Sequence, residues 1–397
     1  MSLSIIASSP SLELSGANVL VANLFDELQK KGGRAAWIVT GHEPSANDGS
    51  WLGERRFNIH HLPPTRLSNV RRRQTLLRDF LEQHSPCVYL PNFDFDMACA
   101  IPSLSPAVRA ALVVHCDDPV YYNFVADHGN LFDAIVCVSE FLAEKLRAAH
   151  ASLSERIFHI PFGVAVPARL PERNKRAGEP LEVAYCGRIT FHQKRVEDLA
   201  GVIIRCQEES VAARFHIAGT GADERDFFER IRGPLAAGTA RRLGFLPNAD
   251  VLRLLERSDV LLMTSDFEGL PVILLEAMSR GCVPIVTRIK SGMTELVRHG
   301  ENGFLLPVGD IGAFVSALKT LSAEPERLKR LRQAAYERVR DCFTLERAAA
   351  DYRKLFESLM NDEVRWPALR TGKAIVPSHY RKHVRIVRRV KKLLGAA

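Results

Sequence analysis

Short apolar runs alternate with longer amphipathic stretches along most of the chain, and the alternation predicts strands and helices in turn. Leu3-Ser-Ile-Ile-Ala-Ser reads as a strand, residues 17 to 31 as a helix, and Arg34-Ala-Ala-Trp-Ile-Val-Thr as a second strand. That βαβ rhythm implies a parallel sheet. Cys87-Val-Tyr-Leu-Pro, Ala110-Ala-Leu-Val-Val-His-Cys, Ala134-Ile-Val-Cys-Val-Ser and Ile157-Phe-His-Ile-Pro are further strands, with a helix from Glu140 to about His150. Residues 167 to 180 interrupt the rhythm, being rich in proline and charge without apolar periodicity, and read as a linker. Beyond them strands at 181 to 186, 214 to 218, 242 to 246, 259 to 265, 282 to 287 and 303 to 308 alternate with helices, the last three near 310 to 322, 325 to 339 and 344 to 360.

The expected class is therefore α/β, with two doubly wound Rossmann-like domains facing a central cleft. Residues 1–166 form the first domain, 167–180 the linker, 181–345 the second domain, 346–363 a closing helix and 364–397 a tail. In open sheets of this kind ligands bind beyond the carboxyl ends of the strands, so the loops there are where chemistry is expected.

A length of 397 residues is ample for two cores. No apolar run approaches the ~18 residues needed to cross a bilayer, and the first residues lack the basic start and apolar stretch of a secretory signal. The eight cysteines are scattered, with no Cys-x-x-Cys pair, and read as small buried hydrophobes in a reducing, cytoplasmic setting. The net charge of +8 arises from the end of the chain: residues 364–397 carry ten Lys or Arg and no acid.

The densest candidate chemistry lies where the strand from Asp259 to Ser265 gives way to a helix, in Ser265-Asp-Phe-Glu-Gly-Leu-Pro-Val-Ile-Leu-Leu-Glu-Ala-Met. Gly269 and Pro271 break the strand, Pro271 suits the first helical position, and Gly281 suits the stop. The amides of such a helix start can hold a phosphate. Glu268 then sits in the loop and Glu276 about one and a half turns into the helix. Gly187-Arg188 ends another strand, with Lys194 across a short loop; two cations there suit a nucleotide diphosphate, the alternative being solvated charges. Gly219 and Gly221 either let a backbone approach a nucleotide or form a plain tight turn. Gly16 opens the first long helix, either near a phosphate or as a cap. His115 ends a strand ahead of Asp117 and Asp118, as a site residue or a structural one. Asp94-Phe-Asp96 has no further ligand at metal spacing and reads as loop acid.

Taken in order, Gly187-Arg188 with Lys194, Gly219-x-Gly221, Gly244-Phe-Leu, Ser265-x-x-Glu268-Gly-Leu-Pro with Glu276-Ala-Met, Gly281-x-x-Pro284, Glu295 and Asn302-Gly303 resemble the pattern of retaining glycosyltransferases of family 4, which have the GT-B fold. The resemblance covers residues 181–345 closely and residues 1–165 more loosely. It implies transfer of a sugar from a nucleotide diphosphate sugar to an acceptor hydroxyl with retention of configuration, without metal or other cofactor. Arg188 and Lys194 would hold the diphosphate, Glu276 the ribose, Glu268 and His115 the sugar, and Gly16, Gly187, Gly219, Gly269 and Leu270 the rest of the donor. The sequence departs from that pattern at Ser15-Gly16, at Arg195 where glycine is usual, and at Lys290-Ser291-Gly292.

Residues 378–394 space apolar side chains among basic ones as an amphipathic helix on an anionic membrane surface would. The alternatives are a solvated helix or a disordered end. On the membrane reading the acceptor is a lipid-linked saccharide or a growing surface polysaccharide, and the protein sits at the inner face of the cell membrane. A sugar-nucleotide epimerase or hydrolase of the same fold is the enzymatic alternative. Nucleic acid is not expected as a partner, because the tail lacks interleaved aromatics and the remaining chain is nearly neutral.

Overall fold

The computed structural model describes residues 3–41, 49–53, 55, 57–63, 70–173, 175–176, 178–361 and 371–375. These fall into two compact units. The first takes residues up to Cys137, Ala143–Ile160 and the described residues from Ala349 on; the second takes Val138–Leu142 and Pro161–Ala348.

The first unit holds seven strands: β1 (Ser4–Ser9), β2 (Arg34–Val39), β3 (Asn58–His61), β4 (Cys87–Pro91), β5 (Val108–Val114), β6 (Ala134–Cys137) and β7 (Ile157–His159). They lie parallel in the order β3-β2-β1-β4-β5-β6-β7, with Ser8 between Ile38 and Pro91. Every residue of β1 and β4 is buried, as befits strands covered on both faces. The edge strand β3 is exposed throughout, so it carries no apolar signal and was not anticipated from the sequence. The helices Val70–Gln83 and Pro119–His128 likewise went unread.

The second unit holds β8 (Leu181–Cys186), β9 (Ala213–Ala218), β10 (Ala240–Gly244), β11 (Val260–Met263), β12 (Val283–Thr287) and β13 (Phe304–Leu306), all parallel in the order β10-β9-β8-β11-β12-β13. Leu181, Val183, Ile217, Leu262, Ile285 and Leu318 belong to its core. In both sheets the direction of winding reverses once, between β1 and β4 and between β8 and β11. Those reversals are where open α/β sheets present a crevice.

The stretch expected as a linker is packed on the second unit. Arg173 donates to the carbonyls of Leu255, Glu256 and Ser258 at the end of helix Asn248–Arg257, where a cation also meets the negative end of the helix dipole. Lys175 pairs with the buried Asp259, whose carboxylate also accepts the Glu182 amide at 2.8 Å. Tyr336 donates to the Pro167 carbonyl at 2.7 Å, and Leu170 packs on Gly281. Charges that look like solvated linker in the sequence are thus ligands of helix-end carbonyls and a buried acid. The basic stretch 378–394 lies outside the described residues, as does most of 364–397. Among the described residues no helix is long and apolar enough to cross a membrane.

Candidate functional site

In the second unit the candidate residues gather at the β8/β11 reversal. β8 ends at Cys186, and Gly187 donates its amide to the Ala218 carbonyl at 3.0 Å, which draws the turn after β9 against it. Gly219 has φ of +138°, and a Cβ there would stand 1.8 Å from the Gly187 carbonyl oxygen, so only glycine fits. A Cβ on Gly221 would meet the Ile189 carbonyl at 2.2 Å. Both glycines are thus required by the tight packing of this turn against the chain leaving β8.

From Gly187 the chain passes Arg188, which is exposed and donates to Gln193 Oε1 at 2.5 Å. It then makes one helical turn, Phe191–Lys194. This turn is locked to the loop after β11 from several directions. The Asp266 amide donates to the Gln193 carbonyl at 2.9 Å, Gln193 Nε2 donates to the Phe267 carbonyl at 3.2 Å, and Thr264 Oγ1 donates to the Lys194 carbonyl at 2.8 Å. The lock brings Lys194 Nζ to 2.5 Å from Glu268 Oε1, with Glu268 only 7% exposed. Lys194 and Glu268 thus form one buried ion pair. Gln193 and Thr264, which hold it, gave no sequence signal beyond their polarity.

Arg195 explains one departure from the family pattern. Its φ of 45° and ψ of 51° lie in the left-handed region, where glycine is at ease. Here an arginine occupies it, with ion pairs to Asp198 at 2.7 Å and Asp266 at 3.3 Å holding its side chain. The Lys290-Ser291-Gly292 departure is also accounted for. Ser291 caps the turn Gly292–Leu296 by accepting from the Met293 amide at 3.2 Å. Gly292 donates to the Gly269 carbonyl at 2.7 Å, and a Cβ on it would crowd that oxygen at 2.8 Å.

Pro271 is the cap of helix Val272–Ser279 rather than its first residue, and Gly281, at φ of +74°, follows the helix end. Gly269 and Leu270 are buried at the helix entrance. Glu276 is half-buried and held by Asn248 Nδ2 at 3.0 Å, not by the Lys194–Glu268 pair. Burial pushes its carboxyl above the usual range, with the Asn248 amide and Arg280 opposing. Asn248 opens a helix that the sequence reading missed.

In the first unit Gly16 is exposed at the start of helix Gly16–Lys30, capped by Ser15, which accepts from the Asn18 amide at 3.2 Å. His115 follows β5 and is buried. Its Nε2 lies 2.8 Å from Asn92 Oδ1, its ring stacks on Phe93 at 5.2 Å between centroids, and burial pushes its pKa down to about 3. Asp94 does lie in the loop between β4 and the turn Phe95–Ala98, but it is buried rather than solvated. It is 3% exposed, accepts from Thr40 Oγ1 at 2.8 Å, and burial pushes its pKa up to about 6 against opposing bonds from Ser8 and Thr40 and the charge of Arg73. Asp117 instead pairs with Lys145 at 2.6 Å.

Residues 168–338, which contain the whole of this second-unit site, match a sequence family described as glycosyl transferases group 1. Among curated relatives, the chain is 28% identical over 250 residues to an Escherichia coli protein provisionally named as the colanic acid biosynthesis glycosyltransferase WcaL, covering 60% of this chain and 61% of that one. It is 28% identical over 295 residues to the Escherichia coli lipopolysaccharide 1,6-galactosyltransferase, covering 68% and 76%. The chain thus spans less than two thirds of the length of WcaL, and 52% of the Salmonella typhimurium counterpart. Among solved structures, the pneumococcal O-GlcNAc transferase GtfA bound to UDP and GlcNAc superposes with a TM-score of 0.75 at 12% identity, covering 91% of this chain and 100% of that one. Anabaena HepE bound to UDP-glucose superposes with a TM-score of 0.71 at 15% identity, covering 90% and 100%. These likenesses establish that the two parallel-sheet units have the GT-B fold.

Proposed function

We propose that this protein is a retaining glycosyltransferase that moves a sugar from a nucleotide diphosphate sugar to an acceptor hydroxyl. The observation that carries this reading is the Lys194–Glu268 pair at the β8/β11 reversal, flanked by Gly187-Arg188 and the Gly219 turn inside the segment that matches the glycosyltransferase family. The binding of UDP by GtfA and of UDP-glucose by HepE supports a nucleotide sugar as donor.

In this account Arg188 offers a planar fork to the diphosphate and Lys194 a compact charge. The ammonium carries three N–H donors and Glu268 takes one, so Glu268 fixes the direction of the other two. Glu268 in turn accepts from a donor-sugar hydroxyl. Glu276 holds the ribose hydroxyls, while Gly187, Gly219, Gly269 and Leu270 let the backbone approach the nucleotide. The family resemblance gives Gly16 to the diphosphate and His115 to the transferred sugar. As the sugar–oxygen bond breaks, negative charge grows on the departing diphosphate, and Arg188, Lys194 and the first amides of helix Val272–Ser279 stabilise it. The acceptor attacks from the face the diphosphate leaves, with no enzyme nucleophile and no metal required. The polysaccharide and lipopolysaccharide names of WcaL and the galactosyltransferase point to a saccharide or lipid-linked acceptor. The basic residues of 364–397 would hold the enzyme at an anionic membrane face.

The test is incubation with nucleotide diphosphate sugars and saccharide acceptors, followed by NMR of the new glycosidic linkage. The account expects a product with the donor's anomeric configuration. An inverted product overturns the retaining mechanism, and release of free or epimerised sugar with no transfer to any acceptor overturns the assignment as a transferase.

A further inference from the structure

At the other reversal, between β1 and β4, a buried chain of polar side chains runs from the loop before helix Gly16–Lys30 to His115. Its members are Asn18, Asn92 and Ser9, all at most 6% exposed. The direction of every hydrogen bond in it is fixed by its ends. At one end Asn18 Nδ2 lies 3.2 Å from the Ser11 carbonyl and 2.7 Å from the Glu13 carbonyl. A backbone carbonyl can only accept, so this end of Asn18 must be its NH2 group and its Oδ1 must face the other way. That oxygen lies 2.8 Å from Asn92, which must present its own NH2 there. The second hydrogen of that group points to Ser9 Oγ at 3.3 Å. Ser9 Oγ independently accepts from the indole N–H of Trp37 at 2.9 Å, a group that can only donate, and passes its own proton to Asn18 Oδ1 at 3.4 Å. Asn92 is left with only its carbonyl oxygen to offer to His115 Nε2 at 2.8 Å.

We infer that Asn18 and Asn92 are positioning residues that hold His115 in the neutral form protonated at Nε2, with the lone pair on Nδ1, so that the ring acts as a hydrogen-bond acceptor towards its ligand. An imidazole otherwise partitions between two tautomers, and the hydrogen bond at one nitrogen decides the state of the other. The same Asn18 amide that sets this relay pins the carbonyls of the loop leading to Ser15-Gly16. The loop position and the proton position on His115 are therefore linked through one side chain. In terms of the proposed function, which this inference deepens, His115 would accept a proton-bearing hydroxyl of the donor sugar rather than present a charge or a donor to it.

The tautomer can be read in the free protein, so the test does not depend on the enzymatic reading. Nitrogen-15 correlation spectra of the imidazoles of the full chain, with His115→Gln identifying the signal, should show His115 as a single species with a protonated Nε2 and an unprotonated Nδ1. Asn92→Leu, and Asn18→Leu through the freed Asn92 amide, should mix the two tautomers. Asn18→Asp, in its protonated form with the O–H donating to the Glu13 carbonyl in place of Nδ2 and the other oxygen still accepting from Asn92, should keep the native one. If the protein transfers sugar, the tautomer-mixing variants lower kcat about 10-fold, the scale of one lost hydrogen bond to the transition state, while Asn18→Asp retains more of it. A native His115 protonated at Nδ1, or native-like tautomers in a folded Asn92→Leu protein, would overturn the inference whatever the activity. A native Nε2–H signal together with full transfer by His115→Gln would leave the tautomer standing and remove His115 from the proposed site.

Discussion

Breaking the Lys194–Glu268 pair one side at a time is the perturbation with the clearest structural magnitude. The two side chains are 14% and 8% exposed at a separation of 2.5 Å, so each has given up most of its hydration to meet the other. At an effective dielectric near 20 the attraction is ~7 kcal/mol, and desolvation of both charges offsets much of it. The pair's net worth is therefore small, but the cost of leaving one charge behind is not. Lys194→Met strands the Glu268 carboxylate, at about 3–5 kcal/mol, or a fall in melting temperature of roughly 6–20 °C for a unit of this size. The backbone anchors from Thr264 and Gln193 do not involve the Lys194 side chain, so the fold should survive to be measured. Glu268→Gln strands Lys194 in the same way, while the double variant should recover most of the loss, giving a coupling of about 2 kcal/mol or more. Thermal unfolding of the four proteins, followed by circular dichroism, completes the cycle. A Lys194→Met protein melting within about 1 °C of the native one, or strictly additive single effects, would refute the claim that the two charges are a desolvated unit.

Three further outcomes follow from other positions. Arg188→Ala removes an exposed side chain and should change stability by no more than about 0.5 kcal/mol, while weakening nucleotide diphosphate binding by about 10-fold or more, the scale of a charged hydrogen bond; calorimetric titration beside a melting curve separates the two. Gly219→Ala forces a Cβ to within 1.8 Å of the Gly187 carbonyl oxygen at a positive φ, so the two strand ends must part. The expected cost is about 2–5 kcal/mol with loss of nucleotide binding, and a native-like melting curve would contradict it. Asp94 titrates near pH 6 in the folded protein against 3.8 ordinarily, so the fold favours its protonated form. That contribution is fully present below about pH 4 and is lost as pH rises through about 6, amounting to about 3 kcal/mol. Asp94→Asn, which can still accept from Thr40, should therefore be the more stable protein at pH 8 and no better at pH 4 in urea unfolding; an equal difference at both would refute the burial argument.

Much of the second unit was legible because parallel strands buried on both faces read as apolar runs, and Pro271 and Gly281 bracket one helix with the punctuation their backbones require. The strand β8 matches its expected bounds, Leu181–Cys186. What escaped was polar or exposed. β3 has four exposed residues, and helix Asn248–Arg257 buries only Leu255. Arg173 and Lys175 pair with the buried Asp259 more than eighty residues further on, so no local pattern announces the cluster. Asn18 and Asn92 are seventy-four positions apart and amides carry no periodicity, which hid the relay behind His115. Glu268 and Glu276, alike in the sequence, diverge in the fold: the first is ion-paired to Lys194 and the second is held by an asparagine and driven towards its neutral form by burial.

The central claim is that the second unit holds a nucleotide diphosphate sugar through Arg188, Lys194, Glu268 and Glu276. Its most direct test is a thermal-shift series of nucleotide diphosphate sugars against the full chain and its Arg188→Ala and Glu276→Ala variants. A ligand bound only by the folded state, at about 100 times its dissociation constant, adds about 2.7 kcal/mol. The account predicts a rise of several degrees for at least one such sugar with the native protein, and little or none for either variant at the same concentration. No rise with any nucleotide diphosphate sugar, or an equal rise in all three proteins, would contradict it.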